Sequence, residues 1–278
     1  MRYAALWSIR IASFNARYRH ASAGWSAALL SLIWTIQADA QLGAPPPPPP
    51  ANSRVAAPVD FTGYWVSVVT EDWRYRMMTP DKGDYTGISL NPAGRKLADS
   101  WDPAKDEASG GQCKAYGAAA IMRVPTRLHI EWQGDDTLRI DTDAGRQTRV
   151  LHFNSKPPAN GQPTLQGYSA ASWEGLRPRG TGGVATTLAG REAAQGYLKV
   201  LTSQLQPGYL RKNGVPYGAD TQVEEYYESF TEPNGDTWLI VTTVVTDAEY
   251  LSQFYITSSQ FKKLPGPKGW NPTACEAR

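Results

Sequence analysis

The chain has 278 residues, 41% of them hydrophobic and 19% charged, which is the composition of a folded globular protein of one or two domains. Its formal net charge of +2 gives no electrostatic reason to expect a nucleic-acid partner or an anionic-membrane surface. With two cysteines, a dense disulfide framework cannot supply the stability.

Residues 1–40 have the pattern of a secretory signal peptide. A basic opening precedes the apolar run 27–36, and the small-x-small triplet Ala38–Asp39–Ala40 follows, which predicts cleavage after Ala40. The apolar run is shorter than the roughly 18 residues that cross a bilayer, and no other segment is long and apolar enough. We therefore expect a periplasmic or secreted protein without a membrane span.

Residues 41–58 are predicted to be a linker. They contain the proline run Pro45–Pro50, followed by small residues up to Pro58. Such a run forms stiff polyproline II and buries no core, so it acts as a spacer. Residues 59–278 show no second linker and are expected to form a single β domain.

Strand patterns dominate this domain. Residues 61–70 are rich in aromatic and β-branched side chains, and residues 127–132 and 137–142 alternate between apolar and polar side chains. Short turns separate these two runs from each other and from residues 147–153. The pattern predicts a three-strand antiparallel meander.

The C-terminal half repeats this pattern. Further strands are predicted at residues 197–205, 223–230, 237–246 and 254–262. The even spacing and the lack of crossover helices predict an all-β fold, either an antiparallel up-and-down barrel or a strongly curled sheet.

One short helix is predicted near residues 92–101, early in the domain. Asn91 suits an N-cap and Pro92 suits the first helical position. The helix is expected to end before Pro103.

Two short patterns resemble those of lipocalins. Gly63–Tyr64–Trp65 is similar to the G-x-W at the start of the first lipocalin strand, where the tryptophan closes one end of the barrel. Residues 246–250, Thr-Asp-Ala-Glu-Tyr, are similar to the T-D-x-x-Y turn between late strands of that fold. The resemblance implies a lipocalin-like barrel in which Trp65 is structural.

Three further segments resemble a family of exported bacterial β-rich proteins that has no assigned activity. They are Asn213–Tyr217, Ser172–Gly175 and Asn234–Trp238. This likeness implies export and a β fold. It supplies no catalytic residues.

Cys113 and Cys275 are predicted to form a disulfide bond. In an exported protein both thiols lie in an oxidising compartment, where such a pair tends to close. The bond would attach the C-terminal tail to the rest of the domain. Two reactive thiols or two metal ligands are the alternatives, and the absence of a C-x-x-C pair or a nearby histidine disfavours both.

Metal and cofactor motifs are missing from the sequence. Beyond the leader there are two histidines, His129 and His152, whereas a zinc site usually has three or four histidine, cysteine or carboxylate ligands. A nucleophile elbow, a phosphate-binding loop and a dinucleotide-binding glycine motif are also missing. We therefore expect no metal and no cofactor.

Five polar side chains of the predicted meander are the strongest candidates for chemistry, and we call them the polar cluster. Arg127, His129 and Glu131 share one face of a strand, and the next strand brings Arg139 and Asp141 alongside. Inside a barrel, His129, Glu131 and Asp141 would be catalytic groups for proton transfer, and the two arginines would bind an oxygen-rich ligand. On the outer face, the same residues would form cross-strand ion pairs in contact with water, as antiparallel sheets commonly do.

Aromatic residues suggest a second candidate, a ligand pocket. Tryptophan and tyrosine combine apolar area with a polar tip, which suits an aromatic, lipidic or sugar ligand. Most of them are expected in the core. Trp173 and Tyr217, which are predicted to lie on loops, and Tyr226, from a tyrosine pair, are the candidates for the pocket.

Three functions are consistent with these features. The first is an exported β-barrel-like protein that binds a small, partly apolar molecule. The second is an enzyme of the same fold, an isomerase, cyclase or hydrolase, that uses His129, Glu131 and Asp141 for acid–base chemistry. The third is a structural or interaction module of the cell envelope. The orientation of His129 distinguishes them, because only an inward side chain beside a cavity favours the enzyme.

Overall fold

The computed structural model describes residues 49–175 and 196–278, which belong to a compact unit, Pro48–Arg278. The predicted signal peptide with its cleavage after Ala40, and the predicted linker up to residue 48, lie outside the described residues. Within the described residues, no helix is long and apolar enough to cross a membrane.

Short helices precede and follow the first strand along the chain. In the described part of the chain they are α1 (Ser53–Ala56), α2 (Trp73–Arg76), α3 (Pro92–Asp99) and α4 (Pro103–Ala108). Helix α3 confirms the helix predicted near 92–101, because Asn91 Oδ1 accepts a hydrogen bond from Gly94 N at 2.8 Å and Pro92 takes the first helical position. The same cap-and-proline signal recurs at Asp102 and Pro103, where it begins α4.

The folded part begins before residue 59. In α1, Ser53 N donates to Asp136 Oδ1 at 2.8 Å. The indole of Trp173 donates to the carbonyl oxygen of Ser53, also at 2.8 Å. The end of the segment that the sequence suggests is a linker therefore packs on the β domain.

Strands are the main regular secondary structure of the described chain. They are β1 (Gly63–Val68), β2 (Arg127–Trp132), β3 (Thr137–Thr142), β4 (Thr148–Phe153), β5 (Tyr168–Glu174), β6 (Tyr197–Ser203), β7 (Gly208–Arg211), β8 (Val215–Tyr217), β9 (Gln222–Thr231), β10 (Thr237–Thr246) and β11 (Tyr255–Leu264).

Nine of these strands close into a barrel in the order β1-β11-β10-β9-β6-β5-β4-β3-β2, and β7 and β8 form a separate two-stranded sheet. The predicted all-β barrel is confirmed. The barrel contains a parallel pair, β4 and β5, which meet at Leu151 and Ser169. The long connection 154–167 explains this pair, since it returns the chain to the starting end of β4 before β5 begins.

Alternating side chains fill the barrel. On β2, Leu128 and Ile130 are buried and belong to the same core cluster as Trp65, Tyr227 and Phe261. The strict alternation of residues 127–132 therefore places their apolar members inside, as period-2 patterning requires. These buried side chains pack against one another and fill this part of the barrel interior.

The barrel interior also holds a buried ion pair. Arg149 of β4 and Glu225 of β9 are both fully buried. Their side chains form two parallel hydrogen bonds, Nη1 to Oε1 at 2.8 Å and Nη2 to Oε2 at 2.6 Å. The hydroxyls of Ser169, Thr202 and Tyr227 lie within 3.4 Å of the same guanidinium. Burial acts to lower the pKa of Arg149, but the Glu225 carboxylate outweighs it and raises that pKa above its ordinary value.

The two patterns that resemble lipocalins contain side chains that stabilise the fold. Trp65 is completely buried, and its indole donates to Phe61 O at 2.8 Å. Asp247 accepts hydrogen bonds from Gly218 N at 2.6 Å and from Tyr250 N at 2.7 Å. The carboxylate of Asp247 therefore fixes the turn between β10 and β11 and joins it to the end of β8.

The predicted disulfide is confirmed. Cys113 and Cys275 are bonded, with sulfur atoms 2.06 Å apart and a sequence separation of 162 residues. The bond attaches the C-terminal tail to the segment that follows α4. Along the same tail, Thr273 N donates to Asp143 O at 2.9 Å, so the tail lies against the barrel before it reaches the disulfide.

Candidate functional site

The polar cluster lies on the outer face of the barrel. His129 and Glu131 alternate with the buried Leu128 and Ile130 along β2, so their side chains point away from the core. Asp141 of β3 pairs with His129 in the sheet register. The orientation of His129 is therefore the one that does not favour an enzyme.

Four of the five side chains of the polar cluster meet as the register predicted. One ligand atom from each of His129, Glu131 and Asp141 lies within 4.8 Å of the others. Arg139 Nε donates to Asp141 Oδ1 at 2.9 Å, and its Nη1 lies 3.9 Å from Glu131 Oε1. Thr148 donates to the same Asp141 oxygen at 2.5 Å.

These contacts are those of surface ion pairs, one within β3 between Arg139 and Asp141 and one across to Glu131 on β2. An imidazole and two carboxylates are a donor set that a metal ion can use, but Arg139 already lies against both carboxylates and supplies the positive charge that an ion would bring. His129 stacks on the ring of Tyr64 at 4.3 Å between centroids. Arg127 lies apart from the other four and pairs with Asp143 at 3.6 Å.

The aromatic candidates Trp173, Tyr217 and Tyr226 occupy three separate places, and the loop positions predicted for Trp173 and Tyr217 are wrong. Trp173 lies on strand β5, not on a loop, and its ring packs on Phe153 at 5.3 Å between centroids. Tyr217 lies on β8 and is fully buried, which raises the pKa of its hydroxyl. Tyr226 lies on the outer face of β9, where it bonds to Glu224 and lies beneath Lys199.

A different feature has the properties of a ligand site. A cavity of about 320 Å³ lies at the end of the barrel where β2 and β11 begin. We call it the arginine cavity. Its walls come from four segments: the α2 region, residues 115–125, β7 with Lys212, and the C-terminal tail. The residues that line it are Tyr75, Arg76, Met77, Met78, Thr79, Ala115, Tyr116, Ala120, Arg123, Val124, Pro125, Ala144, Leu210, Arg211, Lys212, Thr273, Ala274 and Glu276.

Local sequence explains how each arginine reaches this cavity. Arg76 ends the single turn of α2, and its Nε donates to Arg123 O at 2.9 Å. Arg123 closes a 3-10 turn at Ile121–Arg123, whose apolar members pack into the barrel core. Arg211 ends β7, and its Nη1 donates to Thr86 O at 2.7 Å. The two backbone contacts hold Arg76 and Arg211 through one nitrogen each, and the guanidinium of Arg211 also lies 4.5 Å from the centroid of the Tyr75 ring.

The three arginines are buried without enough acceptors. Arg76, Arg123 and Arg211 are 8%, 7% and 5% exposed. Considering only the described residues, both Nη atoms of Arg76, Nη2 of Arg123 and Nε of Arg211 have no hydrogen-bond partner. A buried charged donor that lacks an acceptor is costly, and native proteins seldom keep one without a reason.

Charge is unbalanced at the arginine cavity. The wall carries the three arginines and Lys212 against the carboxylate of Glu276. Asp72 contributes from the side by pairing with Arg123 at 3.2 Å. Burial, and next the neighbouring Arg123, hold the pKa of Arg76 below its ordinary value despite nearby acidic groups. The site therefore has the electrostatics that an anion would relieve.

Part of the wall of the arginine cavity is apolar. Met77, Met78, Val124, Pro125 and Leu210 contribute hydrocarbon or thioether surface. A concave, mostly apolar wall with a few convergent polar groups is the usual form of a small-molecule site. The arrangement can bind a molecule that has an anionic end and an apolar body.

Sequence reasoning missed this site. Arg76, Arg123 and Arg211 are far apart in the chain, and their elements are short. One signal was available: Arg123 interrupts the apolar run 117–125, and a charged residue in such a run is seldom left without a role.

The fold and this site define a closed β-barrel protein with a cationic cavity at one end. No family model, no curated protein and no solved structure matches the chain. The functional argument therefore rests on the geometry of the arginine cavity.

Proposed function

We propose that the protein binds a small, partly apolar molecule with an anionic group, and that it does so in the arginine cavity. One observation carries the proposal. Three nine-tenths-buried arginines line a single cavity, and among the described residues four of their nitrogens lack a hydrogen-bond partner. A carboxylate, phosphate or sulfonate would supply the missing acceptors.

The dimensions of the arginine cavity support a small ligand. Its volume of about 320 Å³ is at the lower end of the roughly 300–1,000 Å³ typical of ligand pockets. The anionic group would lie against Arg76 and Arg123, because their side chains are adjacent and carry three of the four unpartnered nitrogens. The body of the ligand would lie against Met77, Met78 and Leu210.

The setting that we propose for this binding is outside the cytoplasm. The disulfide between Cys113 and Cys275 supports it, since such bonds persist in oxidising compartments. The signal peptide, the lipocalin resemblance and the likeness to exported bacterial proteins remain predictions. The acid–base hypothesis at His129, Glu131 and Asp141 also remains a prediction, and the contacts of Arg139 favour ion pairing instead.

Arg76→Gln is expected to weaken anion binding by about tenfold or more, since a hydrogen bond to a charged group contributes about 1.5–3 kcal/mol. The measurement is calorimetric titration of the mature chain with benzoate, phenyl phosphate and benzenesulfonate. Benzyl alcohol serves as the neutral analogue of similar size. We expect at least one anion to bind and benzyl alcohol to bind much more weakly.

Arg74→Gln is the matched control for this experiment. Arg74 precedes Arg76 by two residues in α2, but its side chain is 68% exposed and pairs with Asp84. Its loss should leave the affinity for anions unchanged. Equal affinity in the Arg76→Gln and Arg74→Gln variants would refute the proposal.

A further inference from the structure

We infer that the ligand of the arginine cavity is a single-chain amphiphile with a terminal anionic group, such as a carboxylate. The inference rests on the proposed function and adds the class of ligand. It follows from an apolar surface that continues from the cavity to the outside of the molecule.

Two methionines connect the cavity with its surroundings. Met77 and Met78 both line the arginine cavity, yet they are 59% and 66% exposed. A wall residue with most of its surface in water marks the mouth of the cavity. The mouth is therefore apolar, whereas the inner wall is cationic at Arg76 and Arg123.

Trp73 extends this apolar surface. It is 64% exposed and begins α2. Met77 follows it by four residues, and the Met77 N–H donates to the Trp73 carbonyl, so the two side chains lie on the same side of the turn. Trp73, Met77 and Met78 together form what we call the mouth strip.

Exposed apolar residues that occur singly need no explanation, but three large ones within six positions beside a cavity indicate a binding surface. Methionine side chains are flexible and polarisable, which lets them pack against apolar groups of varied shape. A linear hydrocarbon chain would fit such a surface better than a rigid body of fixed outline.

The division of charge determines the orientation of the ligand. The inner wall carries Arg76, Arg123 and Arg211, and the mouth strip carries no charge of its own. A carboxylate would therefore lie inside and the hydrocarbon tail would run outward over the mouth strip. Because Met77 and Met78 are exposed at the mouth, a tail that extends beyond the cavity of about 320 Å³ would lie on this outer surface.

The test is the dependence of affinity on chain length. Hexanoate, octanoate and decanoate, all below their micelle concentrations, are titrated into the mature chain by calorimetry. Contact of each added methylene with the mouth strip should lower the dissociation constant about two- to fourfold. From hexanoate to decanoate, the affinity should therefore rise by about 16-fold or more.

The variant Met77→Ser/Met78→Ser should flatten this dependence, because decanoate should lose several-fold more affinity than hexanoate. Val55→Ser is the matched control, because Val55 is 67% exposed and lies on α1, away from the cavity wall. Thermal unfolding of each variant verifies that the exposed substitutions leave the fold intact.

The outcomes separate the inference from the proposed function. If neither these carboxylates nor the aromatic anions bind, the proposed function fails. If anions bind with an affinity that is independent of chain length, the proposed function stands and the inference is overturned. A methionine double variant that keeps the full chain-length dependence also overturns it. So does binding to phosphatidylglycerol vesicles without any chain-length dependence, which would make the mouth strip a membrane contact.

Discussion

Glu225→Gln is expected to lower the free energy of unfolding by about 3–5 kcal/mol, because it leaves the Arg149 guanidinium in the barrel interior without its counter-charge. Both side chains are fully buried and their two hydrogen bonds are short. The hydroxyls of Ser169 and Thr202 contact Arg149, but they carry no negative charge. Chemical denaturation followed by circular dichroism measures the effect.

The adjacent residue provides the matched control. Glu224 pairs with Lys199 at 2.9 Å on the outer face, and both side chains are about one-third exposed. Water solvates this pair, so Glu224→Gln should cost only about 0–1 kcal/mol. Similar losses for Glu224→Gln and Glu225→Gln would contradict the claim that burial sets the energy of the inner pair.

Replacing both partners separates the energy of the ion pair from the cost of burying its two charges. Arg149→Met/Glu225→Leu removes two charges that had to be desolvated and fills the space with apolar side chains. Such replacements in other proteins are often neutral or stabilising by about 1–4 kcal/mol. We expect the double variant to be clearly more stable than Glu225→Gln. A double variant as unstable as the single one would show that the hydroxyl network depends on the ion pair.

Period-2 alternation predicted the strands well where one face meets the core. Residues 127–132 and 137–142 coincide with β2 and β3. In such strands every second side chain must be apolar, so the sequence itself contains the register. The same rule places Trp65 and Leu128 inside.

Alternation could not predict β5. Its inward positions include Ser169 and Ala171, which are small and give little strand signal. Ser169 lies opposite Thr202 and contacts Arg149, so its size and hydroxyl suit a neighbour that is remote in sequence. Tertiary context also overrides the loop expected at Tyr217, which pairs with Gly208 in the hairpin of β7 and β8.

The candidate site was less predictable than the fold for a related reason. The polar cluster follows from local register, and four of its five side chains do meet. The arginine cavity depends on Arg76, Arg123 and Arg211, which come from distant segments that no local pattern relates. The predicted disulfide was the one long-range restraint that pointed to this end of the barrel.

Removal of that disulfide is the other change with a large expected effect. Cys113→Ser/Cys275→Ser should lower the free energy of unfolding by up to about 5 kcal/mol, because the bond closes a loop of 162 residues and restricts the unfolded chain. Chemical denaturation with and without dithiothreitol measures it. Dithiothreitol should reproduce the loss in the original chain and have no further effect on the double variant.

The disulfide should also affect anion binding in the arginine cavity. Ala274 and Glu276, on either side of Cys275, and Ala115, close to Cys113, all belong to its wall. Without the bond, the tail keeps weaker attachments, such as the hydrogen bond from Thr273 N to Asp143 O, and it can leave the barrel at little cost. Anion affinity should therefore fall in the double variant under conditions where the barrel is still folded. Unchanged affinity in that variant would mean that the tail holds its place without the covalent bond, and that the bond acts on the unfolded chain alone.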